Sequence, residues 1–223
     1  MRAISISMYE KPYKRKNKTK TKEKKRYAKN WLTYEEYKKL ISLRGKNVKL
    51  IHKLLIRFTW SGALRINEAL QAKPEYLIEE NNRFYYIIPE QKTDKRNWEK
   101  QPIDQDIYND LMDYIELRKI RFQDYIFTGY KGTPFDRTTI YLALNRYAKM
   151  AGINKRIGNH TLRRSRALFL LNYAKRNIFF VKEFLRHKNI QTTLKYLKID
   201  KSELYDQMLE AEKKAESENN YGL

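Results

Sequence analysis

Three stretches of this chain gather residue types that can act on a phosphodiester. ALRINEAL offers Arg65 and Glu68, NHTLRR offers His160 and Arg163, and LRHKNIQTTLKY offers His187 and ends on Tyr196; EQKTDKR adds a lysine. Arginines neutralise charge on phosphoryl oxygens, a tyrosine hydroxyl can form a covalent intermediate, and lysine or histidine can move protons to and from the reacting oxygens. Each pair also has a plainer explanation. Arg65 and Glu68 stand three apart and on a helix share one face, which fits an ordinary surface ion pair worth a few tenths of a kcal/mol. His160 and Arg163 fall at the start of a helix whose apolar face is Leu162, Leu168, Leu170 and Leu171. There they form either a phosphate site at the positive helix end or a capping histidine beside a solvated arginine. Tyr196 is one of 18 tyrosines, and a helical tyrosine usually packs.

The elements that must position these groups read as mainly helical. Thr33 followed by Glu36 forms a capping box ahead of LTYEEYKKLISL. A second helix runs through VKLIHKLLIRFTWSGA, with Leu50, Ile51, Leu54, Leu55 and Phe58 inward. Between about 76 and 103, two Tyr- and Ile-rich strands flank a charged turn and predict a hairpin. Helical periodicity returns at IYNDLMDYIEL, TTIYLALNRYAKMAG with Gly152 as C-cap, TLRRSRALFLLNYA and IFFVKEFL. SELYDQMLEAEKKAES spaces Leu204, Met208 and Ala211 along one face. The expected class is α+β, mainly α-helical, with a small antiparallel sheet.

A chain of 223 residues holds one ordinary domain with tails. Its 48 Lys and Arg against 26 Asp and Glu give a net charge of +22, which points to a polyanion, and nucleic acid is the first candidate. No apolar run is long enough to span a membrane and the N-terminus lacks a signal-peptide core, so the expectation is a soluble cytoplasmic protein. The absence of cysteine excludes disulfides, thiolate catalysis and Cys-based zinc sites. With three histidines and no paired-acid signature, metal-dependent nuclease chemistry is disfavoured, and neither a metal nor a cofactor is expected. Residues 11–30 carry eleven basic residues and one acid, so they read as an arm that is disordered when free. Lys14, Arg15, Lys16, Lys18, Lys20 and Lys22 would contact phosphates there; the plainer alternative is a solubilising tail.

His187 lies nine residues before Tyr196, with Thr192 and Thr193 between them. Here the chain resembles the catalytic domain of the tyrosine recombinase, or integrase, family. That family's hallmarks appear in order as GALRINEAL, EQKTDKR, HTLR, LRH and TTLKY, and the likeness runs from about Leu32 to about Leu209. The resemblance implies that Arg65 and Arg163 clamp the scissile phosphate while Tyr196 attacks it to give a 3′-phosphotyrosine. Lys92, in preference to Lys95, would protonate the leaving 5′-oxygen. His160 would be acid and base, His187 a hydrogen-bond partner of the phosphate, and Glu68 a support. Arg164 and Arg186 would add DNA contacts; Arg186 stands where the family pattern has glycine.

Three segments follow: 1–30 as the arm, 31–200 as the catalytic domain, and 201–223 as an acidic amphipathic helix able to exchange between protomers. The implied protein is a minimal site-specific recombinase of a virus or mobile element, lacking the usual N-terminal clamp. It would be a monomer in solution and a homo-tetramer on double-stranded DNA. The rivals are a type IB-like topoisomerase and a non-catalytic DNA-binding accessory.

Overall fold

A computed structural model describes residues 31–89, 99–130, 132–194, 208–209 and 212–213. Helix α1 (Tyr34–Ser42) starts as the sequence predicts: Thr33 Oγ1 accepts the Glu36 amide at 3.2 Å, and Glu36 Oε2 accepts the Thr33 amide at 2.8 Å. The same carboxylate takes Lys155 Nζ at 2.6 Å, and the Leu32 amide donates to Ser165 Oγ at 2.8 Å. These bonds fasten the entry of α1 to the helix that carries Arg163.

Helix α2 (Leu50–Ser61) is the central strut, packing on α1 and on the later helices Gln105–Arg118 and Thr161–Asn172. Leu54, Leu55, Phe58 and Trp60 bury their side chains, and Tyr37 stacks on Trp60 with centroids 3.9 Å apart. The expected inner face is too long by one turn, for Leu50 is 56% exposed where the helix begins outside the core. A short α3 (Ile66–Leu70) and a 3₁₀ turn (Pro74–Tyr76) lead into the sheet.

The sheet has three antiparallel strands, β1 (Leu77–Glu80), β2 (Arg83–Ile88) and β3 (Glu99–Pro102), in that spatial order. The hairpin expected around the charged turn is β2–β3, with Ile88 opposite Glu99. Strand β1 is additional to the two strands the residue pattern predicts. Its turn is Asn81-Asn82, both with positive φ (50° and 57°), the conformation a two-residue hairpin needs and one that Asn tolerates. Burial alternates along β2, so Phe84, Tyr86 and Ile88 face the helices.

Helices α4 (Gln105–Arg118) and α5 (Arg137–Met150) close the core with Ile107, Leu111, Ile140, Leu144 and Tyr147. After α5, Gly152 has φ +70°; its amide bonds to Lys149 O and the next amide, Ile153, to Ala148 O. This is a left-handed helix stop one residue beyond the cap Ala151. Helices α6 (Thr161–Asn172), α7 (Ile178–Phe184) and α8 (Ile190–Leu194) complete the described fold. A second small core of Ala63, Ala167, Leu170, Val181 and Leu185 joins α6 and α7 to the turn after α2. On α6, Leu168 and Leu171, expected inward, are half-buried.

No atom lies within 4 Å of a Cβ placed on Gly152, so Gly152→Ala is expected to destabilise only through the left-handed backbone, by about 1 kcal/mol. Urea unfolding of the two proteins measures it.

Candidate active site

The turn after α2 builds the first part of the site. Ala63 takes φ +44°, and a Cβ on Gly62 would sit 3.0 Å from the Leu64 side chain and 3.2 Å from that of Gln101, so the turn is packed closely. It delivers Arg65 to the N-cap of α3. Glu68 Oε2 accepts the Arg65 amide at 2.7 Å and Oε1 accepts Arg65 Nη1 at 2.6 Å. The surface-pair explanation fails on burial: the Glu68 side chain is 6% exposed and that of Arg65 is 45% exposed. A carboxylate fixed inside thus holds a guanidinium whose other edge reaches solvent. Tyr86 of β2 donates its hydroxyl to the Glu68 carbonyl at 2.7 Å and ties the sheet to this helix.

Arg163 lies in the first turn of α6 and is 1% exposed. Its Nη1 donates to Ala63 O at 2.6 Å, and its Nη2 to Leu185 O. Two carbonyls from separate elements therefore aim one guanidinium, satisfying part of a buried cation without neutralising its charge. His160, at the N-cap, is exposed and makes no side-chain cap bond, so the capping explanation does not hold. Thr161 Oγ1 accepts the Gly158 amide at 2.9 Å and closes the turn that leads into α6. Asn145 pins the approach to His160 by bonding both the carbonyl (2.7 Å) and the amide (3.1 Å) of Ile157.

The end of α7 brings the third part. His187 is buried, and its Nδ1 lies 2.8 Å from Thr193 Oγ1 of α8. Burial, then the charges of Arg163, Arg65 and Arg186, push its pKa down to about 4, so the ring is neutral near pH 7. Arg163 bonds the carbonyls two residues before Arg65 and two residues before His187, and Glu68 joins Arg65 to Arg186, so the four groups share one neighbourhood.

Arg186 requires a correction. Expected against DNA, its side chain is 5% exposed and turned inward, with Nη2 2.6 Å from Glu68 Oε2 and Nη1 donating to Gln101 Oε1. The sequence signal that marked it, an arginine in place of glycine, identified an unusual position but not the direction of the side chain. Arg164 is half-buried with its Nε enclosed. Gln101 and Asn145, which orient the site, carry no signal in the sequence, and Thr193 stood out there only by its place between His187 and Tyr196; tertiary pairing reveals what they do.

Lys92 and Tyr196 lie outside the described residues, as do Lys14, Arg15, Lys16, Lys18, Lys20 and Lys22. Lys92 belongs to the connection between β2 and β3, and Tyr196 follows the last residue of α8 by two positions. Among the described residues no group of three or more His, Asp or Glu could hold a metal ion, and no helix is long and apolar enough to cross a membrane.

The fold is that of tyrosine recombinase catalytic domains. A structure of XerH site-specific recombinase bound to palindromic difH substrate, a post-cleavage complex, matches with TM-score 0.67 at 24% identity, over 81% of this chain and 52% of that one. The Tn1549 transposon integrase in complex with transposon right end DNA matches with TM-score 0.64 at 21% identity, over 82% and 66%. In sequence, the tyrosine recombinase XerH of Campylobacter jejuni is 27% identical over 179 residues, 78% of this chain and 49% of that protein. The chain therefore spans about half the length of that relative. The model of the phage integrase family matches residues 30–203, and the chain belongs to that family.

His52 shares the titration of His187: burial, then Lys49 and Arg146, push its pKa down to about 4. Both histidines bind protons more weakly folded than unfolded, where the value is about 6.5. Their contribution to stability is therefore full above pH 6.5 and is expected to fall as pH drops from 6.5 towards 4. Melting temperatures between pH 7 and 5 test this; a flat profile there contradicts it.

Proposed function

We propose that this protein is a site-specific DNA recombinase that breaks and rejoins strands through a 3′-phosphotyrosine. The observation that carries the reading is the convergence of Arg65, Arg163 and His187, joined through the carbonyls of Ala63 and Leu185, beside α8, whose last residue precedes Tyr196 by two positions in sequence. In the reaction Tyr196 Oη forms a bond to phosphorus while the P–O5′ bond breaks. The tyrosine proton passes to His160, and Lys92 supplies the proton taken up by the departing 5′-oxygen. Arg65 and Arg163 stabilise the charge that builds on the non-bridging oxygens, and His187 contributes a hydrogen bond rather than a charge. One ester replaces another, so the step reverses when a 5′-hydroxyl from either duplex returns.

The basic arm would grip the duplex backbone outside the site, with Arg164 as a further contact. The relatives named above include a transposon integrase, which favours service to a mobile element. Exchange between two duplexes calls for four such sites, hence a homo-tetramer on DNA, with residues 201–223 docking on a neighbouring protomer.

A pool of nicked duplexes of varied sequence, trapped in a denaturing gel and mapped by peptide mass, tests the chemistry. Tyr196→Phe is expected to abolish the adduct with affinity nearly unchanged; an adduct that survives moves the nucleophile elsewhere. Arg65→Ala and Arg163→Ala are each expected to slow cleavage by roughly 10²-fold or more, the scale of losing one donor to a developing anion. A change within about twofold would remove that arginine from the phosphate. Deleting residues 1–29 is expected to weaken binding to any duplex and flatten its salt dependence, since the slope follows the number of phosphates neutralised. An unchanged slope makes the arm a bystander. Relaxed plasmid without recombinant product would instead mark a topoisomerase.

A further inference from the structure

Arg186 is unfavourable in two independent ways. Its φ of +54° lies in the left-handed region, disfavoured for any residue with a Cβ. It occupies the position where α7 stops, its amide bonding to Glu183 O and the next amide, His187, to Lys182 O, an arrangement that favours glycine. Its guanidinium is also withdrawn from water, with a side chain 5% exposed. Strain of this kind persists when the surroundings over-determine it, and here they do. Nη2 meets Glu68 Oε2 at 2.6 Å and Nη1 meets Gln101 Oε1, while Nε lies 3.4 Å from Glu99 Oε2, an ionic contact without a hydrogen bond. Gln101 in turn donates its Nε2 to Phe184 O at 3.2 Å, closing a loop from β3 to the end of α7.

Glu68 shows what this achieves. Its Oε2 is shared by the Arg65 amide and Arg186, and its Oε1 takes the Arg65 guanidinium. If Arg186 were absent, the whole charge of a buried carboxylate would fall on Arg65, the cation that reaches solvent. Glu68 would then swing fully onto that guanidinium and oppose any anion approaching it.

We infer that Arg186 is a positioning residue for the phosphate clamp: by locking Glu68 in its capping orientation, it leaves the outer edge of Arg65 free to bind a phosphoryl oxygen. This rests on the reading of Arg65 as part of that clamp. Arg186 thereby joins the site to β3, whose preceding connection contains Lys92, and to the turn that carries His187.

The test uses Arg186→Lys, Arg186→Gln and Arg186→Gly in the full chain, with the duplex that the wild type captures as substrate. Gln and Gly are expected to slow single-turnover cleavage roughly tenfold or more, the scale of one charge-assisted hydrogen bond. Duplex affinity and its salt slope are expected to stay unchanged, and Lys to recover most of the rate. The Gly variant separates side chain from backbone, since it relieves the left-handed strain. In a Glu68→Gln background, Arg186→Gln is expected to cost no further rate, because the two act as one unit. In the DNA-free protein, Arg186→Gln is expected to speed hydrogen exchange at the Arg65 amide as Oε2 leaves it.

A salt slope reduced by about one phosphate would make Arg186 a DNA contact and overturn the inference. So would wild-type cleavage by Arg186→Gly, or an unchanged Arg65 exchange rate. If the wild type captures no duplex, the strand-cleavage reading fails. The exchange measurement alone then decides whether Arg186 locks Glu68.

Discussion

The carboxylate of Glu68 is taken out of water, and everything near it answers that constraint. A buried anion is tolerated only when several donors hold it. Arg65 supplies two, one from its backbone and one from its guanidinium, and Arg186 supplies another from across the fold. Meeting the need of Glu68 thus fixes the start of α3 and accompanies the unusual backbone at Arg186. It also gathers two arginines around one buried carboxylate, a concentration of positive charge suited to the proposed phosphoryl group that gains negative charge as it reacts.

Arg163 is oriented in part by neutral groups. Carbonyls of Ala63 and Leu185 orient its guanidinium but do not cancel its charge, and the small core beneath them keeps both carbonyls in position. The cations then act on His187, which burial has already made hard to protonate. A neutral imidazole beside arginines can share a hydrogen bond with a phosphate without adding a charge that would have to be removed when the strand leaves.

Much of this was legible in the sequence where the cause is local. The capping box at Thr33 and Glu36 and the glycine stop after α5 are set by bonds within a few residues, and both stand where the residue pattern puts them. The order of Arg65, Glu68, Arg163 and His187 was also legible, although each pair taken alone fitted a plainer role. What failed is non-local. Whether Arg65 and Glu68 form a surface pair or a buried one depends on Tyr86 and Arg186, distant in sequence. Whether Arg186 points at DNA or at Glu68 depends on Gln101. The first hairpin was missed for another reason: Asn81-Asn82 is a weaker turn signal than Asn-Gly, and LIEE before it reads as charged rather than strand-forming.

The most direct measurement is a crystal structure of the protein on a captured duplex with vanadate bridging the cut ends, since vanadate adopts the five-coordinate geometry of the reacting phosphorus. The expected result has Arg65 and Arg163 nitrogens within about 3 Å of the equatorial oxygens while Glu68 keeps its bond to Arg186. Vanadate bound away from both arginines, or an Arg186 swung out onto the DNA backbone, would contradict a clamp organised by the buried carboxylate.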